Sequence, residues 1–110
     1  MTSILAEQLP LNPITGNRVR PVYVGDAGSI TAIQIGDLPR HTHDTASEMF
    51  YIVEGTAQVT VGDSTQSVKP GDLMIVPKGV LHSIKSDSGL VKAVLITMPP
   101  RDATDVHFVK

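Results

Sequence analysis

Cysteine is absent from this chain, and that one gap removes disulfides, thiolate metal sites and a cysteine nucleophile together. It also removes any redox clue to compartment. Basic runs are missing as well. Nine basic against eleven acidic residues give a net charge of −2, and no cluster of Lys and Arg is present to track a nucleic-acid backbone. No nucleic-acid partner is therefore expected. No apolar stretch approaches the roughly 20 residues of a membrane helix, so no membrane partner is expected either. The first residues, Met1-Thr2-Ser3-Ile4-Leu5-Ala6-Glu7, lack a basic segment followed by a long apolar one. They do not read as a signal peptide, and a cytoplasmic location is expected. What remains, 41% hydrophobic and 18% charged residues in 110, suits one folded domain over residues 1–110 with a single core.

Helical periodicity is scarce too. Residues 3–9 offer one or two helical turns with Ser3 as N-cap, and Pro10 and Pro13 stop them. The rest reads as strands between turns. Val19 to Val24 is a strand that Pro21 confines to an edge or an arm, so residues 1–24 are expected to form an N-terminal arm and edge strand. Ile30 to Ile35 is a strand with Thr31, Ile33 and Ile35 on one face and Ala32 and Gln34 on the other. Gly36 to Arg40 reads as a connector, and Met49 to Val53, aromatic and β-branched, as a strand. Thr56, Gln58 and Thr60 alternate with Ala57, Val59 and Val61, which predicts a half-exposed antiparallel strand. Gly62-Asp63-Ser64 turns into Gln66 to Val68. Leu73-Met74-Ile75-Val76 is a continuous apolar run. Val80 to Ile84 and Val91 to Met98 follow as strands, Pro99-Pro100 ends the pattern, and Val106 to Val109 offers one more. Eight or nine short strands predict an all-β sandwich or barrel.

Three of the four histidines lie on this framework with suggestive spacing. Residues i and i+2 of a strand point the same way, so His41 and His43 can reach one point in space. Glu48, just before a strand, can add a carboxylate oxygen. His82 lies 34 residues beyond Glu48, on a strand that a barrel can bring opposite. Three imidazoles and a carboxylate suit a divalent transition metal such as Fe, Mn, Ni, Co, Cu or Zn. Calcium and magnesium prefer an oxygen shell. Such a ligand set leaves a 2+ ion with a residual charge of about +1 and positions open for water, dioxygen or an anionic substrate. A His-x-His pair alone carries little weight, since surface strands often hold two histidines by chance.

The glycines and prolines around these residues add weight. Gly36, His41-Thr42-His43, Glu48 and Gly55 form one set over residues 36–55. Gly71, Pro77-Lys78-Gly79, His82 and Ser86 form a second over residues 71–86. Together they resemble the two motifs of the cupin superfamily, most closely those of small single-domain cupins called mannose-6-phosphate-isomerase-like. Two departures stand out: four residues rather than five between Gly36 and His41, and Ser86 where the second motif ends in Asn. Neither touches a presumed ligand. The resemblance implies a double-stranded β-helix, or jelly-roll barrel, as a single cupin domain with a metal held by His41, His43, Glu48 and His82. Gly55, Gly71 and Gly79 are expected at turns that need positive φ, and Pro77 before the turn that presents His82.

Other residues read more plainly. Phe50 and Ile52 follow Glu48 inward, as core and as pocket floor. Val80 and Ile84 accompany His82. Arg40 and Lys78 read as solvated charges, Arg20 and Tyr23 as lying at the barrel mouth or at an interface, and His107 as structural. No further inward acid or base stands out. Two functional classes stay open. The favoured one is a metal-dependent enzyme acting on a small oxygen-bearing substrate (anionic, enolic or sugar-derived) by dioxygenation, isomerisation or lyase chemistry. The alternative is a binding or sensor cupin without turnover. A homodimer is expected, because open sheet edges need cover, with the arm through Val24 and the Val106–Val109 segment as its elements.

Overall fold

The alternation of apolar and polar residues settles into two facing sheets. The computed structural model describes residues 8–87 and 89–109, which carry ten strands. In chain order these are β1 (Arg18–Val24), β2 (Ser29–Ile35), β3 (Leu38–Thr42), β4 (Ser47–Glu54) and β5 (Ala57–Val61). β6 (Ser64–Val68), β7 (Leu73–Val76), β8 (His82–Ser86), β9 (Val91–Met98) and β10 (His107–Phe108) follow. One sheet has the order β1-β2-β9-β4-β7 and the other β10-β3-β8-β5-β6. All pairings are antiparallel. This is the all-β, double-stranded β-helix architecture expected. The helical turns proposed for residues 3–9 fall outside the described residues, apart from Gln8 and Leu9, which have no regular structure.

Inward side chains of both sheets meet in one core. Ile33 and Ile35 of β2, Phe50 and Ile52 of β4, Val59 of β5, Ile84 of β8 and Leu95 of β9 are all buried together. Cross-strand partners share a face, so Glu48, Phe50 and Ile52 point inward with Thr97, Leu95 and Ala93 of β9. β1 lies at a sheet edge with a register shift between Pro21 and Tyr23, as a proline without an amide donor requires. In β2, both faces are buried. Ala32 and Gln34, on the outer side, are buried too, and the Leu9 amide donates to the Gln34 side-chain oxygen.

One expectation changes. Residues 36–40 are not all connector: β3 begins at Leu38. Pro39 and Arg40 sit in a register shift between Leu38 and His41, which accommodates the proline within a strand. The apolar run 73–76 is buried on one side only. Met74 and Val76 face the core, whereas Leu73 and Ile75 are 54% and 57% exposed, on the outer face that they share with Tyr51 of β4. The C-terminal segment offered for dimerisation is used within the subunit: β10 pairs with β3, Phe108 opposite His41.

Candidate metal centre

Three strands deliver the predicted site residues to one place. His41 of β3 and His82 of β8 are direct register partners. His43 follows one residue after β3 ends. Glu48 projects from β4 of the opposite sheet, where it pairs with Val76 and Thr97. The imidazole centroids stand 4.0 Å apart for His41 and His82, 5.0 Å for His41 and His43, and 5.1 Å for His43 and His82. The ligand-type nitrogens of the three rings all lie within 4.8 Å of one another. Glu48 Oε1 is 3.0 Å from His43 Nε2 and 3.3 Å from His82 Nε2.

Each ring is held by its other nitrogen. Nδ1 of His41 donates to the Pro39 carbonyl at 2.7 Å, Nδ1 of His82 to the Val80 carbonyl at 3.0 Å, and Nδ1 of His43 to the Asp105 carbonyl at 2.7 Å. A carbonyl only accepts, so the proton of each neutral ring sits on Nδ1 and the lone pair on Nε2. The first two bonds are local, the ring folding back on the carbonyl two residues earlier. The third reaches across the fold to the C-terminal segment.

These tautomers create an unmet demand. Glu48 Oε1 and His82 Nε2 are buried and make no hydrogen bond, although they lie close together. Lone pair faces lone pair, and the contact becomes favourable only with a proton or a cation between them. The electrostatics agree. Burial, followed by the neighbouring His82, lowers the His41 pKa to about 4, so that ring stays neutral. Burial pulls His43 down, but the Glu48 carboxylate outweighs it and the net shift is upward. Burial likewise pushes Glu48 up, yet His43 and His82 overcome it and hold the carboxyl at about 2. Three imidazole nitrogens and one carboxylate with orphaned buried atoms fit a divalent transition ion.

The turn before His82 is tied to the first histidine segment. Gly79, at φ 77°, donates its amide to the His43 carbonyl at 2.7 Å, and the Lys78 amide donates to Ser47 Oγ. A side chain at Gly79 would be strained in that conformation. Asp105 does more than accept from His43. Its carboxylate takes bonds from the Asp44 amide, the Thr45 amide and the Thr45 hydroxyl. The Thr45 hydroxyl, then those two amides, hold its pKa far below the usual carboxylate range. His107, read as structural, is 2.9 Å from Asp105 and 3.1 Å from Asp44. Exposed Asp44 and His107 and the half-buried Asp105 brace the loop that carries His43.

A pocket opens over the site. His41, His43 and Glu48 line it with Phe50 and Leu95 on its apolar wall. Thr15, Asn17, Arg101 and Asp105 line it too, and none of these was singled out in the sequence. Thr15 and Asn17 lie in turn-forming sequence, and Arg101 follows Pro100, where strand periodicity has ended; neither place carries a site signal. Arg20, Tyr23, Arg40 and Lys78 do not line it, and Tyr23, Arg40 and Lys78 are exposed.

Comparison with known proteins points one way. The family model described as "Cupin domain" matches residues 31–99. The putative germin-like protein subfamily 1 member 9 of Arabidopsis thaliana is 30% identical over 95 residues, covering 71% of this chain and 43% of that protein. The chain thus spans less than half the length of that curated relative. Among solved structures, Pac13 from Streptomyces, described as a unique nucleoside dehydratase, superposes with a TM-score of 0.73 at 16% identity, covering 87% of this chain and 80% of that one. KdgF from Halomonas sp. gives a TM-score of 0.72 at 18% identity, covering 79% of this chain and 82% of that one. At such identities the likeness speaks for the fold alone.

Proposed function

The chain belongs to the cupin family, and from that premise we propose that it is a metal-dependent enzyme acting on a small oxygen-bearing substrate. One observation carries the reading: three Nε2 lone pairs and an orphaned carboxylate oxygen of Glu48 converge in a buried pocket. His41, His43, Glu48 and His82 are the residues that would hold a divalent transition ion there. When bound, such an ion supplies Lewis acidity for dioxygenation, isomerisation or lyase chemistry. The chain's own residues orient the ligands through their Nδ1 bonds and keep water out with Ile35, Phe50 and Leu95. Support for an enzyme comes from neighbours of this fold, one of them described as a nucleoside dehydratase. The non-catalytic alternative draws on the lack of a charged general acid or base, other than the presumed ligand Glu48, among the buried residues lining the pocket. An oxygen-uptake and product screen on enol, catechol and uronate substrates tests the choice. The enzyme reading expects turnover that needs added metal and disappears in Glu48→Gln. Tight metal binding with no turnover on any class would leave the sensor reading standing in its place.

The same reading includes a homodimer. Tyr51, Leu73, Ile75 and Met98 are 47%, 54%, 57% and 50% exposed, and their register puts them with Met49, Val94 and Ile96 on the outer face of the β4–β7–β9 region. The outer face of the other sheet carries Gln58, Thr60, Ser83 and Lys85 instead. A contiguous apolar face beside a polar one is the pattern of a buried interface.

A further inference from the structure

Arg101 stands where no charge was expected. Its backbone amide donates to Ser29 Oγ at 2.8 Å, and Ser29 is itself buried and hydrogen-bonded to Thr97. The segment after the two prolines is thereby fastened to the sheet, and the Arg101 side chain lines the same pocket as His41, His43 and Glu48. The residue is partly buried. It feels the charges of Glu48 and Asp102, yet among the described residues its guanidinium makes neither a hydrogen bond nor an ion pair. A partly desolvated guanidinium left unpaired costs free energy that an anionic partner would offset.

Asn17 adds an independent mark. It lines the pocket and is only 5% exposed. Its backbone is fixed by bonds to Thr15 and Asn12, while its side-chain amide makes no hydrogen bond among the described residues. Ile33, Ile35, Phe50 and Leu95 form the apolar part of the wall beside Arg101 and Asn17.

The geometry points to Arg101 and Asn17 as the recognition site for a carboxylate on the substrate. A planar guanidinium matches a carboxylate through paired N–H···O bonds, and an amide N–H can donate to the same group. The substrate is then a small carboxylic acid whose remaining oxygen function faces the histidines. That second half rests on the metal-site reading; the carboxylate contact does not.

Calorimetric titration of glycolate and of inorganic phosphate into the full chain tests this, with metal content measured on the same samples. Wild type should bind glycolate more tightly than phosphate. Arg101→Gln should weaken glycolate at least about tenfold with metal content and melting temperature unchanged, and Arg101→Lys should recover part of the loss. Equal glycolate affinity in wild type and Arg101→Gln would overturn the assignment, as would no glycolate binding by wild type at millimolar concentration. Preferential binding of phosphate would overturn the choice of carboxylate. If the protein carries no metal, the Arg101 dependence is still read in the metal-free chain, so failure of the site reading and failure of this one are separate results.

Discussion

The proton on each Nδ1 is the detail on which the site depends. Because Pro39, Val80 and Asp105 offer carbonyls, each ring is held by its Nδ1 bond with its other nitrogen free. In metal-stripped protein, His41 should stay neutral until about pH 4, whereas His43 should take its proton above the ordinary 6.5. The signs follow from linkage. Between about 6.5 and 4 the unfolded chain binds a proton at His41 that the folded chain refuses, so His41 lowers stability as pH falls through that window. His43 acts oppositely: its raised pKa stabilises the fold below 6.5, and that contribution is lost as pH rises through the folded value. Glu48 stabilises above about 4.5 and loses its contribution as pH falls towards 2. An NMR titration of the imidazole signals checks the order; a His41 ring titrating near 6.5 would contradict it. Asp105→Ala keeps the carbonyl that accepts from His43 but removes the carboxylate that holds Asp44 and Thr45, so it should reduce metal affinity about 10-fold at nearly unchanged fold, measured by competition with a chelator.

The strands were legible because their periods were clean. Thr56 to Val61 alternates without a break and becomes β5 with Ala57 and Val59 buried. Pro21 announces an edge, and β1 is one. Where two effects compete in one segment, the pattern fails. Leu38-Pro39-Arg40 reads as connector because its proline removes a donor, yet a register shift lets the strand continue. The run Leu73 to Val76 shows no alternation, because residue type says nothing about which face of a sheet is left uncovered. Gly55 was legible as a turn glycine, but its second reason was not. Its φ is 91°, and a Cβ there would meet the Leu90 carbonyl oxygen at 3.0 Å and Val91 Cα at 3.2 Å. Gly55→Ala should therefore cost about 1–3 kcal/mol, read as a lower urea midpoint. A cost near zero would mean that the β4–β5 turn relaxes freely.

Over the whole molecule, the site is built from both sheets and both chain ends. The ligand-type residues were visible in sequence because spacing and turn residues bracket them. The pocket wall was not, because Asn17 and Arg101 reach it from segments without periodicity. The apolar outer face was equally hidden until register placed Tyr51, Leu73 and Ile75 side by side. If that face pairs two copies, Ile75→Lys should convert a dimer to a monomer in light scattering without lowering metal content. A wild type that is monomeric at micromolar concentration would remove the dimer from the account. The proposed enzymatic function leans on an ion among His41, His43, Glu48 and His82. Metal analysis of protein purified without a histidine tag, beside a His41→Ala/His82→Ala double variant, settles that question. The account predicts close to one divalent transition ion per wild-type chain and almost none in the variant. Equal metal in the two would contradict it.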